Sequence, residues 1–374
     1  LVAFGATRKA GGDAATDALT RALVDAGTEY ICIVAKSHPD HVRRALRTTL
    51  EENLEMVRDT VTHLRSHGKR VFVDCEHFFD GYRANPDYAL QVVRTAHEAG
   101  AEVVVLCDTN GGMLPSWMGD VVRAAAATGA KLGVHCHNDT GCAVANSLAA
   151  VEAGVMHVQG TFNGYGERTG NADLSALIPN LQLKYGWEVL PPERLAELTR
   201  VAHAIALVAH QPLVGRQPYV GVSSFAHKAG LHASAIKVDE NLYQHIDPKL
   251  VGNDMRMLVS DMAGRANIQI KGEQLGFDLN DRELAASITE TVKKKEAEGY
   301  SYESADASFE MLLRDELGIL KLPFEVQSWR VFTEEVPGTH SPDNSEAAVK
   351  LIAKVERYLK DHDLAGLDIQ VLAP

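Results

Sequence analysis

The chain has 374 residues, 45% hydrophobic and 23% charged, with 37 basic against 50 acidic side chains and a net charge of −13. That is enough for one large domain and a smaller one around a real core. No basic stripe argues for nucleic acid, no apolar run reaches membrane-spanning length, and the opening residues do not read as a secretory signal. The five cysteines (Cys32, Cys75, Cys107, Cys136, Cys142) form no Cys-x-x-Cys and read as reduced thiols of a cytoplasmic protein.

The chain starts at Leu1 directly in a strand-like run over 1–4, which reads as a fragment. A helix is expected over 13–26, stopped by Gly27, and a strand over 30–34. Leu46, Leu50, Leu54, Val57, Val61 and Leu64 recur at the spacing of an amphipathic helix, which Gly68 ends. The strand over 70–75 runs into Glu76-His77, and Asn85-Pro86 caps a helix reaching Gly100. The strand over 103–107 ends in Asp108-Thr109-Asn110, and Pro115 opens a helix that Gly129 closes. Then come Gly133-Val-His-Cys-His-Asn-Asp-Thr140, a helix to Gly154, a strand over 157–161 and the polar run 163–171.

Ala26-Gly27, Ala99-Gly100 and Ala153-Gly154 each close a helix before a strand, so βα units repeat and a parallel sheet follows. Polar residues gather after the strands, as in a (β/α)₈ TIM barrel. Six strands are legible where a closed barrel needs eight, so the barrel is expected to lack its first two βα units. The rival is an open, doubly wound sheet, disfavoured because no Gly-x-Gly-x-x-Gly loop follows a strand. The barrel is assigned to 1–190, helical linker subdomains to 191–320 and the start of a separate module to 321–374. Within these, helices are expected over 173–185, 193–211 and 281–298, and an irregular linker over 217–270. A strand is expected over 324–332, a polar loop over 338–345 and partial helix over 345–361.

His135 and His137 share one face of a strand and can converge on one metal ion. A bare His-x-His more often packs or is solvated. Here the pair ends a strand, where α/β folds place their chemistry. Glu76, Asp108, Thr109 and Asn171 lie at other strand ends facing the same mouth. An oxygen-rich remainder suits Mg²⁺, Mn²⁺ or Zn²⁺, acting as a Lewis acid on a carbonyl or keto-acid oxygen. Glu167 and Arg168 read as a structural ion pair.

From 1–9 to about 354, the chain resembles the 2-isopropylmalate, homocitrate and citramalate synthases, metal-dependent barrels that condense acetyl-CoA with a 2-oxo acid. The motifs are His135-Cys-His-Asn-Asp-Thr-Gly141, the run 163–171, Phe225-Ala-His-Lys-Ala-Gly-Leu-His-Ala-Ser234 and Tyr243-Gln-His-Ile-Asp-Pro-Lys-Leu-Val-Gly252. Residues 76–86 and 1–9 look most like the citramalate branch, which uses pyruvate. The resemblance implies metal ligands His135 and His137, with Asn171 at or next to the metal. The family's first-strand Arg-Asp pair, whose aspartate is a further ligand, is not in this chain, so a polypeptide of these residues alone is expected to be inactive. It implies Glu76 beside the substrate, Thr109 binding the 2-oxo acid, His232 in deprotonating acetyl-CoA, Tyr243 in the same linker, and a homodimer. From the residues alone, His232 is equally well a structural histidine.

The nearest rival is 2-isopropylmalate synthase, with a larger 2-oxo acid. A hydroxymethylglutaryl-CoA-type lyase lacks the long linker. Amidohydrolases carry His-x-His on the first strand, not the second-last. An inactive metal-binding remnant is the reading from a different class.

Overall fold

The computed structural model describes residues 1–260, 262–303, 305–321, 325–334 and 350–358. They fall into two compact units, 1–227 with 235–257, and 228–234 with 258 onward.

In the first unit, six short runs rich in β-branched and aliphatic residues build one sheet. They are β1 (Val2–Ala6), β2 (Tyr30–Lys36), β3 (Arg70–Glu76), β4 (Val103–Asp108), β5 (Leu132–Cys136) and β6 (His157–Gln159). Every neighbouring pair is parallel, and the order in space is the order in the chain. A doubly wound sheet reverses its strand order at a switch point. No reversal occurs here, so that rival is set aside. Right-handed crossovers in an unreversed order put every helix on the same face, the winding of a barrel.

The helices Ala18–Asp25, Leu50–Ser66, Pro86–Glu98, Pro115–Ala126 and Ala143–Glu152 alternate with these strands. Val57, Val61 and Leu64 of one, and Val92, Met118 and Val122 of the next two, are fully buried against Ile31, Ile33, Val71, Val73, Leu106 and Val134. Each such side chain contributes about 1.5–3 kcal/mol. The opposite face carries a separate small cluster, Val103, Val105 and Cys107 with Phe72. By the two-residue alternation, Asp74, Glu76, His135 and Gln159 belong to that inner face.

The Asn85 cap is present, its side chain accepting from Tyr88 N. The first helix starts later than expected, at Ala18, because Asp17 caps it by accepting from Leu19 N and Thr20 N. The helix expected over 173–185 is Leu174–Pro179 followed by a π-helical turn, Asn180–Lys184; Pro179 has no N–H to continue the ladder. The one expected over 193–211 is two, Pro192–Leu195 and Leu198–Ala209. The linker over 217–270 is not wholly irregular. It holds the short parallel pair β7 (Ala226–His227) and β8 (Arg256–Met257), and the helices Gly230–Ile236 and Arg265–Gln274.

In the second unit, helices Arg265–Gln274, Arg282–Ala297 and the unanticipated Asp306–Glu316 pack around Ile268, Ile288, Phe309 and Leu313. The expected strand near 324 is β9 (Glu325–Glu334), antiparallel to β10 (Lys350–Tyr358). The partial helix expected over 345–361 is thus corrected to a strand where it is described. The loop at 338–345 and the tail from 363 lie outside the described residues. No described helix is long and apolar enough to cross a membrane.

Gly133 sits on the inner face two residues before His135. A Cβ there would meet Val105 Cγ2 at 2.9 Å and His157 Cδ2 at 3.0 Å. Gly133→Ala is therefore expected to cost about 1–3 kcal/mol of stability, as overpacking does. Gly112→Ala is the control, since a Cβ there meets nothing within 4 Å. Urea denaturation of the two variants decides it, and equal midpoints would contradict the packing argument.

Candidate active site

Alternation along β5 turns His135 inward, and His137 follows at the strand's end with the two rings stacked 5.2 Å apart. The loop after β6 returns to meet them. Ala172 N donates to Cys136 O at 2.9 Å, Asn138 N donates to Gly170 O at 2.9 Å, and His137 pairs with Asn171 as an antiparallel bridge. This brings Asn171 Oδ1 to 2.9 Å from His135 Nε2. Asn171 Nδ2 donates to Tyr165 O at 2.9 Å, so the amide's oxygen faces the imidazole. The tight return needs Gly166, with φ +156°, where a Cβ would sit 2.0 Å from Asn171 Nδ2.

His137 Nδ1 is buried with no hydrogen-bond partner. Burial, with His135 and Arg168 alongside, pulls His137 below the usual imidazole value and favours the neutral, ligating form. Among the described residues, no group of three or more His, Cys, Asp or Glu side chains is set to hold a metal ion. The donors here are two imidazoles and an amide oxygen, and the orphaned buried Nδ1 of one of those imidazoles, His137, fits a cation site.

Glu76, at the end of β3, is hydrogen-bonded and ion-paired to Lys36 at the end of β2. Thr109 follows β4, and its Oγ1 accepts from His77 N at 2.8 Å, which ties two adjoining strand ends. Asp108 does not face the mouth as expected. Its buried carboxylate accepts from Gly112 N and Met113 N, each at 3.1 Å, and shapes the loop. The Arg168 ion pair is structural, but its main partner is Asp139, at 2.8 Å to both carboxylate oxygens. Glu167 stands 3.8 Å away. Arg168 also donates to Thr109 O at 2.8 Å and holds Asp139 below the usual carboxylate range. His232 lies half-buried on Gly230–Ile236 in the second unit. Tyr243, 40% exposed, follows the 3₁₀ turn Glu240–Leu242 in the first.

The sequence reading missed Lys36, Asp74 and Gln159. Asp74 was within reach of it, because β3 alternates Phe72, Asp74 and Glu76 onto the inner face.

Residues 9–205 match the HMGL-like family model, and residues 219–299 match the homocitrate synthase post-HMGL domain-like model. The (R)-citramalate synthase of Streptomyces coelicolor is 64% identical over 96% of this chain and 67% of its own length. That of Synechocystis is 45% identical over 96% of this chain and 68% of its own. Among solved structures, the HMG-CoA lyase of Bacillus subtilis overlaps with a TM-score of 0.48 at 17% identity, covering 57% of this chain and 71% of that one. The chain spans about two thirds of the length of those two synthases. With six parallel strands in chain order and this histidine pair at their ends, the chain belongs to the HMGL-like family, and within it to the (R)-citramalate synthases.

Proposed function

We propose that the chain carries out a Claisen-type condensation of acetyl-CoA with pyruvate to (R)-citramalate, on a route to isoleucine. The observation that carries this is the 64% identity to an (R)-citramalate synthase over 96% of the chain. 2-Isopropylmalate synthase is the less supported alternative, since both synthases reported above are citramalate synthases.

His135, His137 and Asn171 would hold the divalent ion on which synthases of this family depend. Their mixed nitrogen and oxygen donors suit Mn²⁺, Zn²⁺ or Mg²⁺ completed by further oxygen ligands. Bound there, the ion supplies Lewis acidity for the ketone oxygen of the 2-oxo acid. Thr109 binds the 2-oxo acid at the end of β4, and Glu76, charge-balanced by Lys36, stands beside it. His232 takes a proton from the acetyl methyl carbon as general base, with Tyr243 from the same linker. The new C–C bond forms between that carbon and the ketone carbon as the C=O π pair moves onto the oxygen, which takes up a proton, and water then cleaves the thioester C–S bond to leave a carboxylate and CoA thiol.

The exposure of Tyr243 supports a linker that meets a second copy in a homodimer. The barrel spans 1–190, linkers 191–320 and the beginning of a regulatory domain 321–374, which includes the β9–β10 pair. Five free cysteines support a cytoplasmic location.

The enzyme is expected to prefer pyruvate to 2-oxoisovalerate in kcat/KM, because a small pocket rejects added methyl groups sterically. A free-thiol assay of CoA release with both acids measures this. Equal or reversed preference would leave the isopropylmalate alternative standing. His232→Ala in the full-length enzyme is expected to lower kcat by about 10²–10⁴-fold, the usual worth of a general base. Mn²⁺ binding should be unchanged. A fall of less than about tenfold, below that range, would make His232 structural.

A further inference from the structure

On the inner face of the sheet, four side chains from four segments form a continuous run of close polar contacts. Gln159 Nε2 on β6 donates to Asp74 Oδ1 at 2.9 Å. Gln159 Oε1 lies 2.8 Å from His135 Nδ1 on β5, and His135 Nε2 lies 2.9 Å from Asn171 Oδ1.

The directions of these bonds follow from one end. A glutamine beside an imidazole can present either its oxygen or its NH₂, and the ring then takes the matching tautomer. Asp74 breaks that tie. Its carboxylate oxygen accepts the Gln159 N–H, so the amide oxygen is the atom turned to His135. An amide oxygen only accepts, so His135 Nδ1 carries a hydrogen, and in the neutral, ligating ring Nε2 presents its lone pair. From the other side, Tyr165 O fixes Asn171 with Oδ1 toward the ring. Two electron-pair donors then face each other 2.9 Å apart, a spacing adjacent ligands of one cation adopt. Asp74 is only 6% exposed. Burying a carboxylate is costly, and an apolar residue would serve the fold at less cost.

We infer that Asp74 and Gln159 are positioning residues for the metal ligand His135, holding it in the tautomer and ring plane that aim Nε2 at the cation. The inference rests on the reading of His135 as a ligand. Carboxylate–amide–imidazole support of this kind is worth about 10–100-fold in metal affinity.

The test is Mn²⁺ titration of the full-length protein followed by electron paramagnetic resonance. Asp74→Leu and Gln159→Leu are each expected to weaken Mn²⁺ binding by about 10–100-fold. The reversed pair, Asp74→Asn with Gln159→Glu, should restore affinity close to that of the unaltered protein. In that double variant the amide introduced on β3 donates to the carboxylate introduced on β6, whose other oxygen accepts from His135. Leucine variants that bind Mn²⁺ as tightly as the unaltered protein, while His135→Ala does not, would overturn the positioning role alone. A reversed pair as weak as the leucine variants would overturn it too, because the loss would then come from packing. If His135→Ala itself leaves Mn²⁺ affinity unchanged, the ligand reading falls and the inference with it.

Discussion

A parallel strand covered by helices on one face must turn every second side chain the other way. The whole first unit depends on that constraint. Ile31, Ile33 and Ala35 of β2, Val71, Val73 and Cys75 of β3, and Leu132, Val134 and Cys136 of β5 seal the helix side. The same strands then deliver Lys36, Asp74, Glu76 and His135 to the inner side. The burial that holds the sheet together and the delivery of polar groups to its far face are one property of the sequence.

Polar groups placed there must find partners, because an unmet buried donor or acceptor costs about 1–3 kcal/mol. Most do. Asp74, Gln159 and His135 Nδ1 satisfy one another, Asn171 Nδ2 takes Tyr165 O, and Glu76 takes Lys36. At the rim, Arg168 joins the loops after β4, β5 and β6 through Thr109 O and Asp139. His137 Nδ1 is left over beside this set, on a ring stacked 5.2 Å from that of His135.

The strands were legible because their apolar runs are continuous and bounded by helix-closing glycines. The histidine pair was legible because a two-residue spacing on a strand has one geometric meaning. The helix Arg265–Gln274 was not, for a physical reason. Its buried side includes Asn267 and Lys271, offset by Asn267 Oδ1 accepting from Gly264 N and by the Lys271–Asp306 ion pair at 2.8 Å. A helix that buries satisfied polar groups shows no apolar stripe to read. Over Lys350–Tyr358 the apolar residues fit helical and alternating spacing about equally, and periodicity alone does not separate the two. Asp108 misled because a carboxylate at a strand end looks the same in sequence whether it faces a ligand or braces its own loop.

The Gln159–Asp74 hydrogen bond joins residues 85 positions apart, and the Arg168–Thr109 bond joins residues 59 apart. Contacts over such separations carry the entropy of closing a long loop, and they form only after the intervening segments are ordered. β4 and β5 must therefore already stand between β3 and β6 before the Gln159 amide can reach its carboxylate. During synthesis, the ribosome releases Asp74 long before Gln159 exists, so a growing chain with β1 to β5 in register still has no anchored His135. The ligand geometry is in this sense a late product of folding, completed when the last strand of the sheet docks.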